Sequence, residues 1–526
     1  MQIRSGSRIW WLVLVLLSFG SAAGSGDLRL VEAVKAGDRE RVRALLQAGS
    51  DVNERQGDGT TALAWAAYRN DLETAELLLG AGAEVNAANA YSVTALSLGC
   101  TNGNAAMVEK LLRGGANPNT AQRTGETALM TCARTGNVEA VESLLRHGAE
   151  VNAKEPKRGQ TALMWAVAQK HSGVVRALVA HQADIHARTN AVAKSADSGP
   201  GYGFVRGDIT GLGREGVVRG NSTALLFAAQ QGDVESARIL LEAGADVNET
   251  TPEGLSVLLV AIDSGHESLA RFLVEKGANP NAADSSGLTA LHYALLKGLS
   301  IIQGLRFRIT DPMTPYLYRR NMAELVKVLL AHGAKPNERI SKQLPPNSRN
   351  RQHHYLRPLG ATPFLLAAAS GDAGTMRSLV QAGADPLLMT EDRTTALLLA
   401  AGVGRDDDRM KEEEEGALEA VKLALELGAD LNATNRSGTT ALHGAAFIGA
   451  DSIIQLLVEK GSRLEARDKW GQTALSIADG DPNGLTDDRR RREHPKTAEL
   501  LRKLGGDVLA QVPAGRTGAL TENPVQ

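Results

Sequence analysis

Few residues in this chain have the types and spacing that chemistry requires, and most of them stand in two short stretches. Gly211-Leu212-Gly213-Arg214-Glu215-Gly216 matches G-x-G-x-x-G. A phosphate-cradling turn, however, needs a strand before it, a helix after it and an acidic residue about 20 positions on. The flanks here read as loop and repeat helix, so a flexible glycine-rich loop is expected. Arg206-Gly207-Asp208, just upstream, is an adhesion-type tripeptide too short to be specific. In the second stretch Arg339, Lys342, Arg349, Arg351 and Arg357 surround His353, His354 and Tyr355. That composition suits an acidic partner, with Arg351 and Tyr355 as contact residues. The vicinal histidines have no carboxylate or cysteine at ligand spacing, so no metal is expected. The charge runs Asp406–Asp408 with Glu412–Glu415, and Arg489–Arg492, are expected to be solvated loop tips. Paired carboxylates, a nucleophile elbow and a credible phosphate loop are all missing from the pattern, which argues against an enzyme and against a cofactor.

The elements that must position any site come from a repeat. Residues 57–89, GDGTTALAWAAYRNDLETAELLLGAGAEVNAAN, open with a turn at Asp58-Gly59. Leu63, Ala66 and Ala67 then fall at the i, i+3, i+4 spacing of a short helix. Asn70-Asp71 breaks that helix, and Leu72, Ala75, Leu78 and Leu79 mark a second one ending at Gly80 and Gly82. The T-A-L core recurs at Leu96 and Leu129, and the asparagine that follows the second helix recurs at Asn53, Asn86, Asn119 and Asn152, a period of about 33 residues. Helices below ~12–15 residues are marginal in water, so each copy must be stabilised by stacking on its neighbours.

These units resemble ankyrin repeats. The segment GNSTALLFAAQQGDVESARILLEAGADVN at 220–248 carries the family's Gly, T-x-L, A-A, G-D and L-L-x-x-G-A-D-V-N pattern. The resemblance covers about twelve units from 27 to 509, with 27–53 as an N-terminal capping unit. Departures are Ala for Pro at most T-A-L openings, Ser97 and Ser476 in place of His, and a frayed last unit. The resemblance implies an all-α solenoid of stacked helix-turn-helix units with β-hairpin-like fingers. Insertions are expected at 189–219, 299–320, 339–359, 405–416 and 480–495. The first and third follow a finger and are expected to lengthen the finger rim, whereas the others fall between the two helices of a unit.

In such a fold the first helices line the concave side, and a ladder of residues two places after each core leucine lies there. It includes Trp65, Trp165, Phe227 and Tyr293, each either a partner anchor or a gap filler between units. His292 and His443, at the T-x-L-H position, are expected to be structural hydrogen-bonding groups. Cys100 and Cys132, the chain's two cysteines, occupy small-residue positions of first helices in adjacent units. They are expected to be buried thiols, because packed helices lie ~8–10 Å apart and a disulfide needs Cα atoms within ~7 Å. The bridge is the lesser alternative.

At 526 residues with a formal net charge of −2, the chain is too long for one compact core and too balanced for nucleic-acid binding. Arg4 and Arg8 precede an apolar run from Ile9 to Phe19, followed by Ser21-Ala22-Ala23, which is the pattern of a signal peptide cleaved near Ala23. The run is too short to span a membrane, and no later span appears. The expected protein is therefore exported, to a periplasm or the extracellular space. It comprises a signal peptide 1–23, a repeat array 27–509 and a disordered tail 510–526, and it binds a protein or peptide on its concave surface without catalysis. The competing expectation is a catalytic or small-ligand protein with its site built from the insertions at 189–219 and 339–359.

Overall fold

The computed structural model describes residues 28–190, 220–251, 254–295, 298, 321–342, 359–404, 411–480 and 494–505. The chain forms two compact units, one ending at Asp184 and the other starting at Ile185. Within the first, five helix pairs follow one another: Arg29–Ala36 with Arg39–Gln47, Ala62–Tyr68 with Leu72–Gly80, Ala95–Thr101 with Ala105–Arg113, Ala128–Thr135 with Val138–Arg146, and Ala162–Ala168 with Ser172–Ala180. The second contains seven described pairs, from Ala224–Gln231 with Val234–Glu242 to Ala474–Ala478 with Pro495–Lys503. The pairs are numbered here as repeats 1 to 12. Among the described residues there are no strands, only single antiparallel bridges such as Arg55 to Thr61 that close the fingers.

Local sequence sets each helix end. In repeat 2, Thr61 caps the first helix by accepting the Ala64 N–H, and Asp71 caps the second by accepting the Thr74 N–H. A cap of this kind is worth ~1 kcal/mol, so T-A-L and N/G-D are start signals with a physical cause. Leu63, Ala66, Ala67, Ala75 and Leu78 are buried, and a fully buried leucine contributes ~1.5–3 kcal/mol. First helices pack on first helices of the neighbouring repeats and second helices on second helices throughout each unit.

The finger asparagines add a stitch between repeats. Asn86 Nδ2 donates to the Gly115 carbonyl at 3.0 Å while its Oδ1 accepts the Asn117 N–H at 2.7 Å. Asn119 repeats the pattern with Gly148 and Glu150, and Asn281 and Asn337 repeat it in the second unit. A second stitch lies at the end of the first helix. The His171 imidazole bonds the Arg134 carbonyl of the previous repeat at 3.0 Å. Gly136, at φ +85°, makes room for it, since a Cβ there would stand 2.5 Å from the ring.

Two expectations are corrected. Cys100 and Cys132 are joined by a disulfide, with Cα atoms 4.6 Å apart. The thiol expectation compared helix axes with a Cα limit. With axes ~8–10 Å apart and Cα atoms ~2.3 Å off each axis, facing Cα atoms approach to about 3.4–5.4 Å. The acidic run is not wholly a loop either: Lys411–Glu426 is one helix of 16 residues. Glu413–Glu415 sit near its N-terminal end, where negative charge matches the helix dipole. Residues 299–320 and most of 480–495 lie outside the described residues, and Pro495 already begins a helix.

Candidate functional site

The ladder divides into partly exposed and buried members. Trp65 is half-buried, and its Nε1 donates to Gln56 Oε1 at 2.8 Å. Lys35 Nζ stands 5.2 Å from the ring centroid, and Tyr68, 42 % exposed, meets the indole edge-on at 5.6 Å. Trp165, three repeats on, is likewise half-buried, with the Arg134 guanidinium 5.3 Å over its ring. Its indole N–H has no acceptor among the described residues, since Pro156 occupies the position that Gln56 holds relative to Trp65. Both cations are the next-to-last residue of the preceding repeat's first helix. An ammonium or guanidinium over an indole contributes ~0.5–1 kcal/mol at such exposed sites.

In the second unit Phe227 is half-buried and lines, with Leu226, Gln230, Leu255 and Val260, a cleft of about 190 Å³. Tyr293 requires a correction. It is 2 % exposed and its hydroxyl donates to Asp284 Oδ2 at 3.0 Å, so it fills the core and offers no surface to a partner. Asp284, which also accepts the Ser286 and Leu288 N–H groups, gives the phenol a buried acceptor. Leu366 and Leu399 on the same ladder are buried as well. Gly444 is needed where it stands, because a Cβ there would come within 2.7 Å of the Val403 nitrogen. Arg351 and Tyr355 lie outside the described residues, as do the G-x-G-x-x-G stretch and Arg206-Gly207-Asp208.

Some exposed apolar residues were not expected. Tyr91 and Trp470, 48 % and 43 % exposed, stand at finger tips, Trp470 beneath Lys469 Nζ at 4.3 Å. A signal existed in the sequence: each sits at the hairpin turn where the repeat elsewhere places Asp or Ser, as at Asp58 and Ser437. Leu387, 54 % exposed, takes the finger-asparagine position, where a leucine has no amide with which to stitch the next repeat.

The buried titratable groups are structural. His292 Nδ1 accepts the Thr289 N–H at 3.1 Å and Nε2 bonds the Ala361 carbonyl at 3.3 Å. Burial pushes its pKa down to about 4, so the ring is neutral near pH 7. His443 repeats this with Thr440 and Gln472, and burial again lowers its pKa. Both are the hydrogen-bonding groups expected of the T-x-L-H position. Burial raises the pKa of Glu249, but the Thr223 hydroxyl and Arg188, 3.8 Å away, face it and tie it to two neighbouring strands of chain. Among the described residues no three His, Cys, Asp or Glu side chains gather as a metal would require, and no described helix is long and apolar enough to cross a membrane.

Each unit is thus a stack of helix-turn-helix repeats with hairpin fingers and an open row of first-helix side chains. A family model described as ankyrin repeats in three copies matches residues 30–122, 96–189, 219–314 and 412–484, more than half of the chain, which therefore belongs to the ankyrin repeat family. Among similar proteins is ankyrin repeat domain-containing protein 63 of mouse, 31 % identical over 127 residues, which are 23 % of this chain and 30 % of the relative. Another is protein phosphatase 1 regulatory subunit 12A of rat, 33 % identical over 79 residues, 15 % of this chain and 8 % of the relative. The transient receptor potential cation channel subfamily A member 1 homolog of Caenorhabditis elegans is 30 % identical over 120 residues, 23 % and 9 % of the two chains. The matched part spans less than a third of each of these relatives.

Proposed function

We propose that this chain is a non-enzymatic scaffold, exported to a periplasm or the extracellular space, that holds a protein or peptide partner on its first-helix faces. The observation that carries this reading is the pair of partly exposed tryptophans, Trp65 and Trp165, each under a cation from the preceding repeat. Large aromatic side chains kept partly in water by a rigid helical row have the composition of interface anchors. Family membership supports it, since ankyrin repeats generally serve as protein-interaction modules, and one relative is named as a regulatory subunit of a phosphatase.

Export rests on the signal-peptide pattern of residues 1–23 and is supported by the Cys100–Cys132 disulfide, a bond favoured outside reducing compartments. Fractionation and N-terminal sequencing of the mature protein check it, with a start near Gly24 expected and a cytosolic, uncleaved chain counting against it. The binding reading is tested by alanine at Trp65, Trp165 and Phe227 in protein whose circular dichroism is unchanged. Loss of ~2 kcal/mol or more per anchor, seen as at least a roughly tenfold drop in partner capture, is expected. Undiminished capture by the triple variant would sink it.

A further inference from the structure

We infer that the first-helix face of the first unit takes an extended acidic peptide segment whose two anchoring carboxylates stand about eight residues apart. The inference rests on the scaffold reading above and names the chemistry of the partner. Two equivalent devices carry it. Lys35 over Trp65 at 5.2 Å and Arg134 over Trp165 at 5.3 Å occupy the same register of the repeat, so each presents a positive charge on an aromatic platform at the same depth of the face. Among the described residues Arg134 has no ion-pair partner, and Lys35 is paired with the exposed Glu32 one turn away. An exposed pair of that kind is worth little and yields readily to a better-placed carboxylate.

The surroundings do not cancel this charge. The first helices of repeats 2 to 5 contain no Asp or Glu. Three of the finger acids are already engaged: Asp58 accepts the N–H and hydroxyl of Thr60, Glu84 pairs with Arg55, and Glu155 accepts the N–H groups of Lys157, Arg158 and Gln160. The face is therefore positive and apolar at once, which steers and holds an acidic segment with apolar neighbours. Tyr68, edge-on to Trp65, enlarges the apolar contact at one anchor. Three repeat steps of ~8–10 Å separate the anchors by roughly 24–30 Å. A peptide rising ~3.3 Å per residue covers that in about seven to nine residues. A single-stranded nucleic acid is the other anionic polymer, but its bases stack on free aromatic faces, and here the cations stand on those faces.

The test is selection of random peptides of about 16 residues, displayed on phage, against the immobilised full chain, followed by anisotropy measurements on synthetic hits. The expected hits carry Asp or Glu at two positions about seven to nine apart. They lose at least about tenfold in affinity to Lys35→Glu with Arg134→Glu, less to Lys35→Gln with Arg134→Gln, and weaken with added salt. Hits without acidic excess, or indifferent to charge reversal, overturn the inference. If such hits still require Trp65 and Trp165, lost in Trp65→Ala with Trp165→Ala, the scaffold reading survives. Hits indifferent to both tryptophans, or no hits at all, overturn both. A labelled oligothymidylate that binds as tightly and competes with the hits also overturns the inference.

Discussion

At the scale of single residues, position in the repeat settles chemistry less than the partner across the gap. Trp65, Trp165 and Tyr293 share one ladder position, yet the first two remain partly exposed while Tyr293 turns its hydroxyl to Asp284 in the core. His292 has a measurable consequence. Its pKa falls from an ordinary 6.5 to about 4, so the folded state holds the neutral ring while the unfolded chain takes up a proton below pH 6.5. The stabilisation is therefore present above pH 6.5 and is lost as pH falls towards 4, at ~1.4 kcal/mol per pH unit and up to about 3 kcal/mol in all. Chemical denaturation at pH 7 and pH 5 is expected to show a drop in the native protein that His292→Gln reduces, because the amide does not titrate, with the remainder carried in part by the likewise buried His443. An equal drop in the variant would assign the effect to other groups.

At the scale of elements, short helices are held by neighbours, and two connectors between repeats can be removed singly. Replacing Cys100 and Cys132 by Ser opens a loop with a sequence separation of 32, and loop-closure entropy puts the loss at about 3–4 kcal/mol. Thermal unfolding with and without reductant checks this: reductant is expected to lower the native midpoint and leave the double variant unmoved. Asn119→Ala deletes the bonds to Gly148 and Glu150 and is expected to cost ~1–2 kcal/mol in urea unfolding. Leu387→Asn should act in the opposite direction, restoring a stitch and covering less water with exposed leucine, a gain of ~1 kcal/mol by the same measurement.

At the scale of the whole molecule, the division into two compact units separates these sensitivities. The disulfide lies in the first unit and both buried histidines lie in the second. A one-dimensional array responds locally, because each repeat touches mainly its neighbours. Hydrogen exchange on the full chain should therefore show reductant opening residues 95–135 while leaving 289–294 and 440–447 protected. Moderate acid should do the reverse. Uniform acceleration under either condition would mean that the two units unfold as one.

What the amino-acid sequence determined alone was the unit: Thr and Asp caps, the buried Leu and Ala spacing, the glycine-ended helices and their return every 33 or so residues. Each is a local preference repeated often enough that chance cannot produce it, which is why the fold class was legible. What only the tertiary structure decided were contacts between residues about 30 or more positions apart. Cys100 meets Cys132 because helix surfaces, rather than axes, face each other. A cation reaches Trp65 and Trp165 because the preceding first helix ends beside them, so ladder aromatics equivalent in repeat position became two charged anchors and, at Tyr293, a core residue. Burial and pairing depend on what stacks above and below a repeat, and a repeat's own residues do not contain that information.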